Sequence, residues 1–195
     1  MGLEDELAAH VAAIRSMVAT SSAVISDIVA RLSSCFAQGG KLLICGNGGS
    51  AADAQHFAAE FMNRFRIDRQ PWPAIALSTD TSVITSIAND SAYEQVFARQ
   101  VEALGRPRDV LIGLSTSGGS ANVLAALRVG RERGLVTIGF TGDSGSKPMG
   151  PACDILLAVP SDETARIQEC HEFVYHVVAG MVEKELHRRK PQSTT

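Results

Sequence analysis

The chain has 195 residues, a length that favours one domain with a complete hydrophobic core over two domains. Its 18 lysines and arginines against 21 aspartates and glutamates give a formal net charge of −3, which provides no electrostatic footprint for nucleic acid or an acidic membrane surface. No continuous apolar run approaches the roughly 18 residues that a bilayer-spanning helix needs, and the acidic N-terminus is unlike a signal peptide, so we expect a cytoplasmic protein with neither nucleic-acid nor membrane partners.

Two amphipathic helices are predicted before the first strand. Apolar residues recur at helical spacing over 3–18 and over 25–36, the Thr-Ser-Ser stretch at 20–22 predicts a bend between them, and Gly39-Gly40 ends the second helix. A small sheet does not need both helices as cover, so we expect their apolar faces to contact other subunits. Residues 1–40 are therefore interpreted as a helical oligomerisation segment within the same domain, and we expect a homotetramer.

The rest of the chain alternates between strand-like and helix-like segments. Five continuous apolar runs are predicted strands: Lys41–Cys45, Ala74–Leu77, Val110–Leu114, Val136–Phe140 and Ile155–Val159. Continuous runs are typical of strands covered on both faces, and the helical patterns between them indicate βαβ units. We therefore predict an α/β fold over residues 41–187, a three-layer sandwich with a five-stranded parallel sheet. A last helix over about 162–187 closes it, and 188–195 are expected to be a flexible tail.

Two polar, glycine-rich loops follow the first and third predicted strands. The first is Gly46–Ser50 (GNGGS) and the second is Ser115–Ser120 (STSGGS). In open α/β sheets, ligands bind at the carboxyl ends of the strands, where glycine permits close approach and helix N-termini favour anions. Neither loop has the GxGxxG spacing of a dinucleotide fold or the Gly-Lys-Ser/Thr of a nucleotide P-loop.

The second loop is rich in hydroxyl groups and lacks lysine and arginine. This composition suits a single phosphate monoester held by backbone amides and by the four hydroxyl side chains Ser115, Thr116, Ser117 and Ser120. The alternative is an ordinary Ser/Gly turn in which Ser120 caps the next helix. A third polar stretch, Asn89-Asp90, interrupts a helical pattern and is by itself ordinary turn chemistry.

Two helices carry candidate metal ligands. His56 and Glu60 are four residues apart and share one face of the helix after the first loop, a pattern most often found in simple surface pairs. Gln168 and His176 lie about two turns apart on the last helix. Together these side chains form a plausible tetrahedral zinc set, although glutamine is an unusual ligand. The competing ligands are His171, Glu172 and Cys170.

The four cysteines are scattered without CxxC spacing, at Cys35, Cys45, Cys153 and Cys170. This distribution is typical of reduced thiols that are buried as small apolar side chains. Although Cys170 lies among the candidate ligands, we expect it to belong to the core.

Four segments carry a resemblance to a known family: 46–56 (GNGGSAADAQH), 88–90 (AND), 115–118 (STSG) and 166–169 (RIQE). They resemble the phosphoheptose isomerases of the sugar isomerase (SIS) domain superfamily, and the likeness extends from residue 3 to residue 187. The resemblance implies the flavodoxin-like SIS fold and a homotetramer with sites near subunit interfaces. One departure is Gly119, where many relatives carry asparagine.

The family's functional positions can be assigned to this chain residue by residue. The resemblance implies sugar contacts at Asn47, Gly48, Gly49, Asn89 and Asp90, and a phosphate cradle at Ser115, Thr116, Ser117 and Ser120. It also implies one Zn²⁺ per subunit on His56, Glu60, Gln168 and His176, with Glu60 and Gln168 also facing substrate. Glu60 and His176 match the family's acid/base pair.

The implied reaction converts sedoheptulose 7-phosphate to D-glycero-D-manno-heptose 7-phosphate through an enediol, the first step of ADP- or GDP-heptose biosynthesis. Two alternatives remain open at the level of sequence. One is a non-enzymatic SIS tetramer of the type that associates with the DnaA replication initiator, although such proteins lack the acid/base residues that are present here. The other is an SIS isomerase of another phosphosugar.

Overall fold

The computed structural model describes residues 2–189, which form seven α-helices and five strands along the described chain. The helices are α1 (Leu3–Ala37), α2 (Gly49–Met62), α3 (Thr81–Asp90), α4 (Ala98–Leu104), α5 (Ala121–Glu132), α6 (Ser146–Met149) and α7 (Thr164–Arg189). The strands are β1 (Leu42–Gly46), β2 (Ala74–Ala76), β3 (Val110–Leu114), β4 (Val136–Gly142) and β5 (Ile155–Val159). Of the segment expected to be a tail, residues 188 and 189 continue α7, and 190–195 lie outside the described residues.

All five strands are parallel and lie in the order β2-β1-β3-β4-β5. This is the flavodoxin-like order, so the predicted fold class is confirmed. Because β1 pairs with β2 on one side and with β3 on the other, the chain goes from β1 to one edge of the sheet and then crosses back to build the other side from β3 onward. The topological switch point therefore lies between the carboxyl ends of β1 and β3.

The sheet is buried on both faces, which explains the continuous apolar runs. Side chains alternate along β1: Leu42 and Ile44 pack with α1, α2 and α7, whereas Leu43 and Cys45 pack with residues from α4 and α5. Every residue of β1 and β3 is buried. These two central strands therefore present only their carboxyl ends to a ligand.

The N-terminal segment is a single 35-residue helix, so the predicted bend at 20–22 is wrong. Thr20 donates its hydroxyl to the Ser16 carbonyl (3.0 Å), and Ser22 donates to the Val18 carbonyl (2.6 Å). These hydroxyls bond to the preceding turn and leave the backbone ladder intact. The polar stretch is therefore accommodated inside the helix.

By length and composition, α1 is apolar enough to cross a membrane. Its position in the fold gives it a different role, because Met17, Ile28 and Leu32 are fully buried in the core. The same helix packs along α7 and β5. Thus α1 forms part of the layer that covers one face of the sheet.

Candidate active site at the carboxyl edge of the sheet

The two polar loops are neighbours at the switch point. The last residue of β1, Gly46, is in register with Leu114 at the end of β3, so both loops leave the sheet at the same edge. Each loop contains a glycine in the left-handed region, with φ 55° at Gly48 and 63° at Gly118. At Gly118 a side chain would collide with the backbone of Gly145, so this tight approach requires glycine.

An amide pair ties the first loop to the start of α5. Asn47 donates to the side-chain oxygen of Asn122, and Asn122 donates back to that of Asn47, both at 2.9 Å. The Tyr93 hydroxyl donates to the same Asn47 oxygen at 3.2 Å. Asn122 is buried and was not predicted as a site residue; its only sequence signal is an amide among the apolar residues of α5. The predicted sugar contact Asn47 is thereby held in one orientation.

The hydroxyl groups of the second loop bond mainly within the loop. The Ser115 and Ser120 hydroxyls lie 2.9 Å apart, and the Ser117 hydroxyl accepts the amide of Gly119 at 3.3 Å. Ser120 occupies the N-cap position of α5, but its hydroxyl makes no capping bond to the described residues of that helix. The loop and the start of α5 together resemble the anion sites found at helix N-termini, with hydroxyls added.

The predicted turn at Asn89-Asp90 is wrong. Helix α3 continues through both residues, and the amide of Ser91 still donates to the Ile87 carbonyl at 3.0 Å. Both side chains are exposed, and Asn89 donates to the Asp90 carboxylate at 2.8 Å. These predicted sugar contacts therefore lie at the exposed C-terminal end of α3.

Three of the four predicted metal ligands converge between α2 and α7. His56 Nε2 lies 3.1 Å from Glu60 Oε1 and 3.4 Å from His176 Nε2. One donor atom from each of the three side chains lies within 4.8 Å of the others. Two imidazoles and a carboxylate are typical ligands of Zn²⁺, so the donor set fits a divalent transition metal.

The fourth predicted ligand, Gln168, lies over the first loop. A side chain on Gly49 would overlap the Gln168 amide, which shows how closely α7 approaches the start of α2. The helices run in the same direction, because Gln168 meets Gly49 and, further along both, His176 meets His56. Gln168 is therefore placed beside the predicted sugar loop, and its contact with a metal ion stays a prediction.

Aromatic side chains surround the cluster. The ring of Phe65 stacks on that of His176 at 5.6 Å with an interplanar angle of 13°, and the Tyr175 hydroxyl lies 2.9 Å from His56 Nδ1. Sequence patterns did not predict Tyr175, because an apolar-faced helix normally carries aromatic residues in the core. Both contacts restrict the orientation of the imidazoles.

The competing ligands lie elsewhere or on another side of the cluster. His171 is fully buried, and burial lowers its pKa to about 4. Cys170 is also buried, and burial raises the pKa of its thiol to about 11. Glu172 Oε1 is 3.9 Å from His56 Nδ1, the ring nitrogen that points away from Glu60 and His176.

Asp53 adds a second carboxyl group beside the cluster. It lies three residues before His56 on α2, and its Oδ2 atom is buried without a hydrogen-bond partner among the described residues. Burial and, secondarily, the charge of Glu172 raise the pKa of Asp53 to about 6, while His56 opposes the shift. Asp53 lies within the 46–56 segment, but no role was assigned to it, because an aspartate near a helix start is common on protein surfaces.

Sequence comparison identifies the family of this chain and its similar relatives. The SIS domain family matches residues 7–142. The phosphoheptose isomerase of Roseiflexus sp. (strain RS-1) is 56% identical over 182 residues, which cover 93% of this chain and 92% of that protein. The one from Trichlorobacter lovleyi is 51% identical over 181 residues, with coverage of 93% and 92%.

Solved structures agree with the sequence relatives. The phosphoheptose isomerase from Neisseria gonorrhoeae superposes with a TM-score of 0.85 at 41% identity, covering 94% of this chain and 100% of that chain. The one from Francisella tularensis gives a TM-score of 0.89 at 35% identity, with coverage of 93% and 96%.

Proposed function

The chain belongs to the phosphoheptose isomerase family of SIS domain proteins, and we propose that it converts sedoheptulose 7-phosphate to D-glycero-D-manno-heptose 7-phosphate. The observation that carries this proposal is the meeting of Glu60 with His56 and His176 between α2 and α7. The first loop leads into α2, where the Gln168 amide lies against Gly49, and the second loop leaves the sheet beside it at the same edge. One edge of the sheet thus combines groups for acid/base chemistry with a loop suited to a phosphate.

The reaction requires one proton to leave carbon 1 of the ketose and one to arrive at carbon 2, through a cis-enediol. We propose that the carboxylate of Glu60 removes the proton from carbon 1, because a carboxylate is suited to general base catalysis. His176 would either exchange protons with the sugar oxygens or deliver the proton to carbon 2. The second loop, with Ser115, Thr116, Ser117 and Ser120, would hold the phosphate and fix the distance from phosphate to the reacting carbons.

The three converging donors His56, Glu60 and His176 support the proposal of one Zn²⁺ per subunit, with Gln168 as its proposed fourth ligand. When bound, zinc would supply Lewis-acid polarisation of the sugar carbonyl and hydroxyl oxygens. A carboxylate that binds a cation tightly is a poor base at the same moment. We therefore propose that the contact of Glu60 with the metal is weak or exchangeable, so that its carboxylate is available for proton transfer.

We further propose a homotetramer located in the cytoplasm. Large apolar side chains of α1 are exposed in the single protomer, with Leu3 at 85%, Leu7 at 54% and Val18 at 41%. Such a surface suits contact between subunits. All four cysteines lie in the described part of the chain and are free and buried, as is typical of proteins in a reducing compartment.

The test is an isomerase assay with sedoheptulose 7-phosphate, before chelation, after chelation and after zinc is added back. We expect aldose formation that chelation abolishes and zinc restores. Activity that is indifferent to chelation would contradict the zinc proposal alone. No aldose from zinc-loaded protein, with conversion of another phosphosugar, would support the second isomerase candidate instead. The non-enzymatic alternative is disfavoured because Glu60 and His176 are both present and adjacent.

A further inference from the structure

The proposed base, Glu60, lies in the last turn of its helix. Helix α2 ends at Met62, and the last four carbonyl groups of a helix have no partner within it. Unless other groups bind these carbonyls, such a turn frays and the side chains on it lose their fixed positions. The position of the Glu60 carboxylate therefore depends on what holds the end of α2.

The guanidinium group of Arg69 binds the end of α2. Its Nη2 atom donates to the carbonyl of Glu60 at 2.8 Å, and its Nη1 atom donates to the carbonyl of Phe61 at 3.0 Å. The Phe61 carbonyl also accepts the amide of Trp72 at 3.1 Å. A cation at the C-terminal end of a helix is further favoured by the helix dipole. Arg69 therefore satisfies two carbonyls of the turn that carries the proposed base.

The same guanidinium group is fixed by two further side chains. Its Nε atom donates to Glu183 Oε1 at 2.9 Å, and the two side chains of this ion pair are 5% and 1% exposed. The guanidinium carbon lies 3.7 Å from the ring centroid of Trp72, within the range of a cation–π contact. Glu183 lies on α7, about two turns after His176. These contacts therefore connect the end of α2 to the helix that carries the second member of the acid/base pair.

We propose that Arg69 is a positioning residue, which fixes the last turn of α2 against α7 and thereby holds the Glu60 carboxylate beside the two imidazoles. Its described contacts are with one carboxylate, one indole ring and backbone carbonyls, and none is with a proposed reacting group. Arginine suits this role because its planar group donates in several directions at once, unlike the compact ammonium group of lysine. The catalytic consequence rests on the proposed function, whereas the order of the helix end can be measured independently of activity.

The first measurement is amide hydrogen exchange, resolved to single amides by mass spectrometry. The amide of Asn63 donates to the Ala59 carbonyl at 3.0 Å, so it reports directly on the last turn. In the wild type we expect this amide and those of Phe61 and Met62 to be protected like the middle of α2. In Arg69→Lys we expect the same amides to exchange faster. A wild-type last turn that exchanges as fast as an unstructured chain would overturn the proposal, whether or not the protein is an isomerase.

The second measurement is the steady-state kinetics of Arg69→Lys with sedoheptulose 7-phosphate. Lysine keeps a positive charge for Glu183 but lacks the planar fork that binds both carbonyls. We expect kcat to fall by about 10- to 100-fold, with KM changed by less than about threefold, because a small displacement of a catalytic group is costly. Trp72 is the only tryptophan of the chain, so a change in its fluorescence would report that the cation above its ring has moved.

Two control variants separate positioning from a general loss of stability. Arg99→Lys alters an exposed ion pair with Glu102 and should keep the wild-type kcat. Val101→Ala creates a cavity in the core on the face of the sheet opposite α2 and α7, so it should lower stability without lowering kcat at temperatures where it is folded. A wild-type kcat in Arg69→Lys, or an equal fall of kcat in Val101→Ala, would overturn the positioning role.

Failure of the proposed function is distinguishable from failure of this proposal. The former appears as absent conversion of sedoheptulose 7-phosphate by wild-type protein whose last turn of α2 is protected as expected. The exchange measurement on the wild type needs no variant, so it still decides the outcome if Arg69→Lys does not fold.

Discussion

His56 and Glu60 could be paired from sequence because a spacing of four residues places two side chains on one helix face. His176 is 120 residues away from His56, and no local pattern records that their Nε2 atoms meet. The residue types alone made His176 one member of a plausible ligand set with competitors on the same helix, and the family resemblance supported that choice. Tyr175 and Asn122 were missed because their roles depend entirely on which residues fold against them.

His171 shows a residue-scale consequence of burial. The folded state binds a proton there only below about pH 4, whereas an unfolded chain protonates histidine near pH 6.5. Between these values the unfolded state holds more protons, so stability is full above pH 6.5 and falls as the pH drops toward 4. The complete shift corresponds to about 3 kcal/mol.

We therefore expect His171→Phe to lose less stability than the wild type between pH 7 and pH 4.5. The measurement is the free energy of urea unfolding at the two pH values. Phenylalanine keeps a ring beside Phe140, whose centroid lies 5.5 Å from the imidazole. His187→Phe, at an exposed position, is the control and should keep the wild-type difference. An unchanged difference in the His171 variant would contradict the buried neutral imidazole.

At the scale of elements, the strands were predicted well because apolar runs end at glycine-rich turns. β3 and β5 begin and end at the predicted residues. Helices were less well defined where polar side chains bond locally, as in α1, because a serine or threonine hydroxyl fits both a break and a continuous helix. The four-residue α6 was not predicted, since a single turn around Pro148 has no periodicity to detect.

The connection after α2 is held by a buried carboxylate on α7. Glu183 accepts the amides of Phe65, Arg66 and Ile67 at 2.8 to 3.1 Å and pairs with Arg69 at 2.9 Å. Burial raises the pKa of Glu183, but the three amides and Arg69 outweigh it and lower the pKa below its usual value. The same connection carries the Phe65 ring that stacks on His176.

We expect Glu183→Gln to destabilise the fold by about 3–5 kcal/mol, because Arg69 would be left buried without its charge partner. The check is the free energy of urea unfolding at neutral pH. The matched control is Glu102→Gln, which breaks the exposed pair with Arg99 and should change stability by less than about 1 kcal/mol. Equal effects of the two substitutions would contradict the role of Glu183 in holding the connection after α2.

At the scale of the whole molecule, a single protomer leaves part of α1 uncovered. The exposed residues Leu3, Leu7 and Val18 are 4 and 11 residues apart, which is close to one and three helical turns, so they lie along one apolar stripe. The sequence indicated that apolar surface would be left uncovered, because a small sheet does not need the whole N-terminal helical segment to cover its two faces. Which copy of the chain covers the stripe depends on the assembly and not on local pattern.

Sedimentation equilibrium should report a tetramer for the wild type. A glutamate at Leu7 or Val18 would place a charge in the apolar stripe, and we expect those variants to dissociate at micromolar concentration. Ser26→Glu, at an exposed position of the same helix outside the stripe, should remain tetrameric. A wild-type monomer, or tetramers for all variants, would contradict this use of α1.

The central claim is that Glu60, gathered with His56 and His176 at the edge of the sheet, moves the carbon-bound proton. Its most direct test is the turnover of sedoheptulose 7-phosphate by Glu60→Gln, measured beside the wild type and Glu132→Gln, an exposed control at the end of α5. We predict that the Glu60 variant still binds the sugar phosphate but turns it over about 100- to 10,000-fold more slowly, whereas the control matches the wild type. Near-normal turnover by the Glu60 variant would contradict the account.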